Sequence, residues 1–342
     1  MSVEAEVPTL CKPTVWFQNG KVMMLDRRKL PHKKVYVKLQ TPEEVARAIE
    51  KMMIQGAGSI AIAAGYGIIL ALYRSRGSRK DQILKVAEMT AARMLMTRPT
   101  GQELSQVIAE VMEAVRMAIS EGRDPYDEAY RRLKGIEEKY RRIAYQCGRN
   151  ASTLLQDGDA ILTHCFPGCA LYYMLSEARK QGKDVQVYAT ETRPYLQGAR
   201  LTCLTLKEAG YTPTLITDNM VGYVMWKGLV NKVFLAADRI ALDGSIANKI
   251  GTYTIAVLAA RHKIPFYVLG YEGPDPKTRT WKDMRIEERN PKEVLQCMEV
   301  RIAPEGIQAY YPAFDITPPQ LITAIITHKG IYKPSQMAQA LV

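Results

Sequence analysis

From about residue 158 the sequence alternates short apolar runs with segments of helical periodicity, and no other feature constrains the fold as strongly. AILTHC (160–165), VQVYAT (185–190), PTLIT (213–217), KVFLAAD (232–238) and PFYVLG (265–270) have strand length and composition, and helical segments separate most of them. Continuous apolar runs suit strands buried on both faces. Strand–helix alternation makes those strands parallel, with helices on both sides of one sheet. The expected fold class is therefore α/β, a Rossmann-like doubly wound parallel sheet. Ligands of such sheets bind outside the carboxyl ends of the strands. Cys165, Glu191, Thr192, Asp218, Asn219 and Asp238 fall at those ends.

The first 150 residues have another texture. A hairpin is expected around QNGKVMML (18–25), because Asn-Gly between alternating residues favours a tight turn. Residues 41–75 read as two helices, the first capped by Thr41 with Glu44 as its capping-box partner. Helical periodicity also covers 80–97, 101–121 and 125–156. The expected organisation is a mostly helical N-terminal domain over 1–150, with a short β-hairpin at its start. A Rossmann-like α/β domain over 151–342 carries most of the active site.

At 342 residues and 47% hydrophobic content, the chain can bury the cores of two domains. No apolar run of eighteen residues is seen, and MSVEAEVPTLCKP lacks the pattern of a signal peptide, so a cytoplasmic protein without a membrane partner is expected. Cys11, Cys147, Cys165, Cys169, Cys203 and Cys297 show no zinc spacing, and reduced thiols are expected. The net charge is +12. Its basic runs RRKLPHKK (27–34) and RSRGSRK (74–80) lack interleaved aromatics and read as solvated loops and helix ends, so nucleic acid is not the expected partner. A positive field attracts a small phosphorylated substrate as readily.

VFLAADRI (233–240) ends an apolar strand in Asp238. An acid there is costly unless it is paired, hydrogen-bonded or used. No GxGxxG follows the first strand of the sheet, which argues against a dinucleotide. That strand runs instead into THCFPGCA, placing Cys165 near a helix start, where exposed N–H groups lower a thiol's pKa. His164 points to the opposite strand face and reads as a structural histidine.

ILTHCFPG, ATETRPYLQGARLT, LITDNM, AADRIALDGSIANKIGTYTIAVLA, IEERNPKEV and YPAFDITPPQLITAIITHKG together resemble the methylthioribose-1-phosphate isomerases. That family shares a superfamily with ribose-1,5-bisphosphate isomerases and the regulatory subunits of initiation factor 2B. The resemblance runs from about residue 30 to 332 and is most specific in the second half. It implies an isomerase of methionine salvage, built as a homodimer, with Cys165 and Asp238 catalytic. It also implies substrate contacts from Arg98 in TRPT, Gln197 in YLQGAR, and Asn248 and Lys249 in ANKIG. The family's phosphate-binding turn, usually RGAP, falls on Gln55, Gly56 and Ala57 within QGAGS.

Gln55 replaces a guanidinium by an amide and removes a charge-assisted phosphate bond of roughly 1.5–3 kcal/mol. The loop GYEGPDPKT (270–278) also lacks the family's hydroxyl-rich run. Both departures lie on the substrate side, which leaves ribose 1,5-bisphosphate or 5-deoxyribose 1-phosphate as alternative substrates. A non-catalytic subunit binding a sugar phosphate or nucleotide is the rival reading.

The chemistry needs two groups of different proton affinity, because the ring oxygen must gain a proton before hydrogen moves from C2 to C1. Asp238, desolvated by its apolar strand, is the expected acid, and Cys165 takes or relays a proton in an enediol path. A hydride shift in an apolar pocket is the other route. Neither needs a metal or an organic cofactor.

Overall fold

A computed structural model of the chain describes residues 7–98 and 101–341, so Pro99 and Thr100 of the TRPT motif lie outside the described residues. Two compact units form among the described residues: one within 12–142, and one of residues 7–11 together with 143–341. Pattern alone set the division at 150, whereas the structure divides the chain inside one long helix. It also groups residues 7–11 with the second unit.

In the smaller unit β1 (Val15–Gln18), β2 (Lys21–Leu25) and β3 (Tyr36–Leu39) form an antiparallel sheet. Asn19 and Gly20 make the β1–β2 turn with φ of 50° and 73°, the left-handed pair that a two-residue hairpin requires. Four helices follow: α1 (Pro42–Glu50), α2 (Ala57–Arg74), α3 (Lys80–Leu95) and α4 (Gln102–Glu121). A fifth, α5 (Pro125–Ser152), crosses the unit boundary. Thr41 and Glu44 cap α1 reciprocally, as their spacing predicts. α2 has the length and mean hydropathy (1.4) of a membrane-crossing helix, although its apolar run is broken by glycines and Ser59, and 72% of it is buried inside the fold. Ile60 to Leu72 are all buried. Gly65 lets α5 come close: a Cβ there would meet Leu133 Cδ1 at 2.6 Å.

The larger unit is the doubly wound sheet. β4 (Ala160–Thr163), β5 (Gln186–Thr190), β6 (Thr214–Ile216) and β7 (Lys232–Ala236) arise at the expected runs. β8 (Arg239–Ile240) and β9 (Ile246–Lys249) follow, then β10 (Phe266–Tyr271), a ribbon of β11 (Gln296–Cys297) and β12 (Val300–Arg301), and β13 (Phe314–Thr317), β14 (Ala324–Thr327) and β15 (Ile331–Tyr332). The main sheet has the order β15-β14-β10-β7-β4-β5-β6, parallel except at β15. α6 (Cys169–Lys180), α7 (Cys203–Glu208), α8 (Val221–Trp226) and α9 (Thr252–Arg261) complete the unit. Among its buried apolar residues one cluster contains those of α8 and α9, another those of α6, and a smaller one joins Ala241, Ala247 and Met284. Strand order reverses between β4 and β7, so the crevice outside their carboxyl ends is the fold's natural ligand site. The antiparallel sheet β13-β9-β8 was not anticipated.

Cys11 and Cys169 form a disulfide with Cα atoms 5.6 Å apart, correcting the expectation that all six cysteines are reduced. The pairing joins the N-terminal segment to the start of α6, and scattered sequence spacing gives no sign of it. Thr9 adds a second tie, its N–H and hydroxyl donating to Glu208 at 2.6 and 3.0 Å. The bridge spans 158 positions, so replacing Cys11 by Ser should lower stability by roughly 2–4 kcal/mol. Denaturant unfolding with and without reductant measures this. Mass spectrometry finding both thiols free in the native protein would remove the premise.

Candidate active site

β4 and β7 deliver Cys165 and Asp238 to the crevice where strand order reverses. Cys165 lies beyond β4 with φ of 60°, a left-handed conformation that a non-glycine residue adopts only when held there. Its N–H donates to Thr192 Oγ1 at 2.9 Å, and its carbonyl accepts from the Thr202 hydroxyl at 2.5 Å. α6 starts only at Cys169, with Gly168 as its N-cap, so Cys165 sits before the helix rather than in its first turn. That corrects the expected acidic thiol. Burial of the sulfur pushes the thiol up to about 12; Lys249 lowers it in part and the Asp238 charge raises it. Cys165 is a protonated thiol at neutral pH.

Asp238 follows β7, and its N–H donates to Ala247 O at 3.0 Å, fastening the strand end to β9. It is exposed, although the strand that it ends is buried. Lys249 ends β9 and is 8% exposed. Burial lowers its pKa, while the charges of Cys165 and Asp238 act in the opposite direction. Its Nζ stands 4.6 Å from the Phe314 ring centroid and 6.0 Å from that of Tyr311. Cys165, Asp238 and Lys249 therefore act on one another electrostatically within one unit.

Asn248, 5% exposed, donates to Thr252 Oγ1 at 2.9 Å and so faces the start of α9. Gln197 is 9% exposed and precedes a π-helical turn, Gly198–Thr202. Its Oε1 has no hydrogen-bond partner among the described residues. Gly198 is required there, since a Cβ would collide with the Thr190 carbonyl. Glu191 has a pKa raised by burial and then by Asp218. Asp218 accepts from the N–H groups of Thr192 and Arg193 at 2.8 and 2.6 Å and braces the turn after β5. Arg193 reaches the carbonyls of Val294 and Gln296, a structural tie.

Gln55, Gly56, Ala57 and Arg98 belong to the smaller unit. Gly56, with φ of 86°, is the N-cap of α2, and Gly56 and Ala57 are exposed. Gln55 is buried, its Nε2 reaching Met52 O at 3.4 Å. Arg98 follows α3, with its carbonyl accepting from Gly101 N–H at 2.9 Å. Arg27 corrects the reading of RRKLPHKK as solvated, because it is 2% exposed and bonded to the Gln55 carbonyl.

A model of the "Initiation factor 2 subunit family" matches residues 53–334. The chain belongs to that family. It is 42% identical over 338 residues to "Methylthioribose-1-phosphate isomerase" of Thermotoga maritima, covering 94% of this chain and 95% of that protein. Identity to the protein of that name from Chloroflexus aurantiacus is 39% over 334 residues, covering 95% and 96%. Among solved structures, a 5-methylthioribose 1-phosphate isomerase from Pyrococcus horikoshii has 34% identity and a TM-score of 0.86, covering 98% of this chain and 96% of its own. A structure titled translation initiation factor eIF-2B, subunit delta, from A. fulgidus has 36% identity and a TM-score of 0.84, covering 96% and 99%.

Within this family member, sequence reasoning missed what His164 does beyond filling space. It is 2% exposed, and burial lowers its pKa, keeping it neutral. Nε2 donates to Ile250 O at 3.0 Å, which leaves Nδ1 to accept from the Thr190 hydroxyl at 2.6 Å. It thereby joins the turns carrying Cys165 and Lys249. Its position beside Cys165 was the signal available, but both partners come from distant strands.

A thiol held near 12 reacts slowly with electrophiles, because the thiolate is the nucleophile. Alkylation of Cys165 by iodoacetamide, followed by peptide mapping, should be slow at pH 7.5 and still accelerating at about pH 10. A plateau near the ordinary cysteine range would show instead that the thiol ionises freely.

Proposed function

We propose that the chain is an aldose–ketose isomerase acting on a pentose 1-phosphate such as 5-methylthioribose 1-phosphate. The observation that carries the reading is the electrostatic grouping of Cys165, Asp238 and Lys249 at the reversal of strand order, in a chain whose relatives bear that enzyme's name. Gln197, Asn248 and Lys249 are assigned to the substrate, Lys249 to its phosphate. Gln55, Gly56, Ala57 and Arg98 are retained as substrate contacts on the strength of the resemblance. The reaction is internally redox-balanced. The ring oxygen gains a proton as its bond to C1 breaks, hydrogen passes from C2 to C1, and the C2 hydroxyl loses a proton as the ketone forms.

The raised thiol of Cys165 supports a reading of the roles in the opposite sense to the sequence expectation. Cys165 holds its proton at neutral pH and is the donor. Asp238, exposed at the end of β7, is read as the acceptor. The phenyl face of Phe314 beside Lys249 supplies part of the apolar wall that a direct hydride shift requires.

A regulatory-subunit reading is favoured by one observation, the similarity to the structure titled initiation factor subunit delta. Turnover separates the two readings. Wild-type protein should convert 5-methylthioribose 1-phosphate to the ketose phosphate at rates typical of enzymes, roughly 1–10³ s⁻¹. Asp238→Asn and Cys165→Ser should each lower kcat by about 10²–10⁴ with KM nearly unchanged. Near-normal turnover in either variant would remove that residue, and binding of the sugar phosphate without turnover would favour the regulatory subunit.

The proposal includes a cytoplasmic homodimer. Tyr223 and Trp226 on α8 are 60% and 66% exposed, and Tyr253 and Val257 on α9 are 45% and 41% exposed. Such neighbouring apolar side chains suit a second copy of the chain. Light scattering should give the dimer mass for the wild type and a smaller mass for Trp226→Glu. A wild-type monomer at micromolar concentration would discard the dimer.

A further inference from the structure

Arg27 belongs to the basic run that reads as solvated, yet its guanidinium is buried behind the turn that opens α2. NH1 donates to the Gln55 carbonyl at 2.5 Å, and NH2 donates to the hydroxyls of Ser59 and Thr14 at 2.9 and 3.0 Å. It thus grips both ends of the Gln55–Ser59 turn. A Cβ placed on Gly56 would lie 3.9 Å from NH1, so the guanidinium is directly behind the exposed glycine. Arg27's pKa falls to about 10 through burial, which leaves it charged at neutral pH.

The Gln55 side chain supplies no charge to the turn. It is 5% exposed, and its Oε1 is a buried acceptor without a partner among the described residues. Gly56 and Ala57 present the first N–H groups of an eighteen-residue helix, which has no side-chain cap bond at Gly56. Such N–H groups attract anions, and a positive charge in a low-dielectric surrounding close behind them adds to the attraction.

We propose that Arg27 supplies the positive charge of the Gln55–Ser59 turn and positions its N–H groups for the substrate's phosphate, in place of an arginine at residue 55. Arg27 acts through the turn and is a positioning residue. The inference rests on the sugar-phosphate reading of the site and deepens it. The amide at Gln55 then marks a relocation of charge rather than a change of substrate class.

The test compares wild type, Arg27→Gln, Arg27→Lys, and Arg27→Gln combined with Gln55→Arg. Two readouts are used: KM and kcat for 5-methylthioribose 1-phosphate, and the thermal shift produced by inorganic phosphate. Arg27→Gln should raise KM about tenfold or more, change kcat little and abolish the phosphate shift, since a lost charge-assisted contact acts on binding. Arg27→Lys should recover part of both, and the double variant should recover most, because the guanidinium is restored one layer forward.

An Arg27→Gln variant that folds and keeps its KM and phosphate shift overturns the proposal, and so does a double variant that folds with no recovery. If Arg27→Gln does not fold, the double variant decides. A folded double variant with a phosphate shift supports the proposal, whereas failure to fold shows that Arg27 serves structure alone. If wild type turns over no pentose phosphate, the isomerase reading fails, and the phosphate shift still judges Arg27.

Discussion

The left-handed backbone at Cys165 is the constraint on which the site depends. A residue with a side chain pays in strain for that conformation, on the order of 1 kcal/mol or more, so its surroundings must hold it. Here the holding groups are hydrogen bonds from outside the turn. Thr192 takes the Cys165 N–H and Thr202 takes its carbonyl. Thr192 is itself left-handed, with φ of 65°, and is braced by Asp218. Strain at two successive strand ends is thus balanced through one carboxylate and two threonine hydroxyls. His164 carries the same network across to Ile250, next to Lys249.

A second brace comes from β13. Asp315 pairs with Asn248 in the β9–β13 register, and its carboxylate accepts from the N–H groups of Gly251 and Tyr253 at 2.7 and 3.1 Å. Burial raises its pKa to about 6, against the lowering effect of those bonds and of Lys249. A carboxylate kept there despite its burial fixes where α9 begins. The strand just before α9 ends in Asn248 and Lys249, so both inherit their positions from a residue more than sixty positions away.

That distance explains what was legible in the sequence. The strands β4, β5, β6, β7 and β10 were visible because local composition and alternation specify them, and their ends located Cys165, Asp218 and Asp238. The Thr41–Glu44 box and the Asn19-Gly20 turn are local codes, and they too could be read. The β8-β9-β13 sheet consists of strands of two to four residues, too short to show periodicity, and its partner strand lies far along the chain. The Cys11–Cys169 bridge and the burial of Arg27 are likewise tertiary events. The thiol's proton affinity was misread for a narrower reason: sequence placed Cys165 near a helix start, and three residues of turn, 166–168, separate it from that start.

The same distinction bears on why one fold carries two kinds of name among its structural neighbours. The doubly wound sheet and its reversal of strand order are properties of the backbone, and they would survive loss of any one side chain at the strand ends. Isomerisation would not, because it requires a proton donor and an acceptor of different affinity within one electrostatic group. In this chain a thiol raised to about 12, an exposed carboxylate and a buried ammonium act on one another electrostatically. Keeping a lysine 8% exposed is costly for folding unless its charge is used. A site that only held a ligand would need the cation but would gain nothing from a protonated thiol strained into a left-handed turn beside it. The two features together fit proton transfer on a bound anionic sugar better than passive binding.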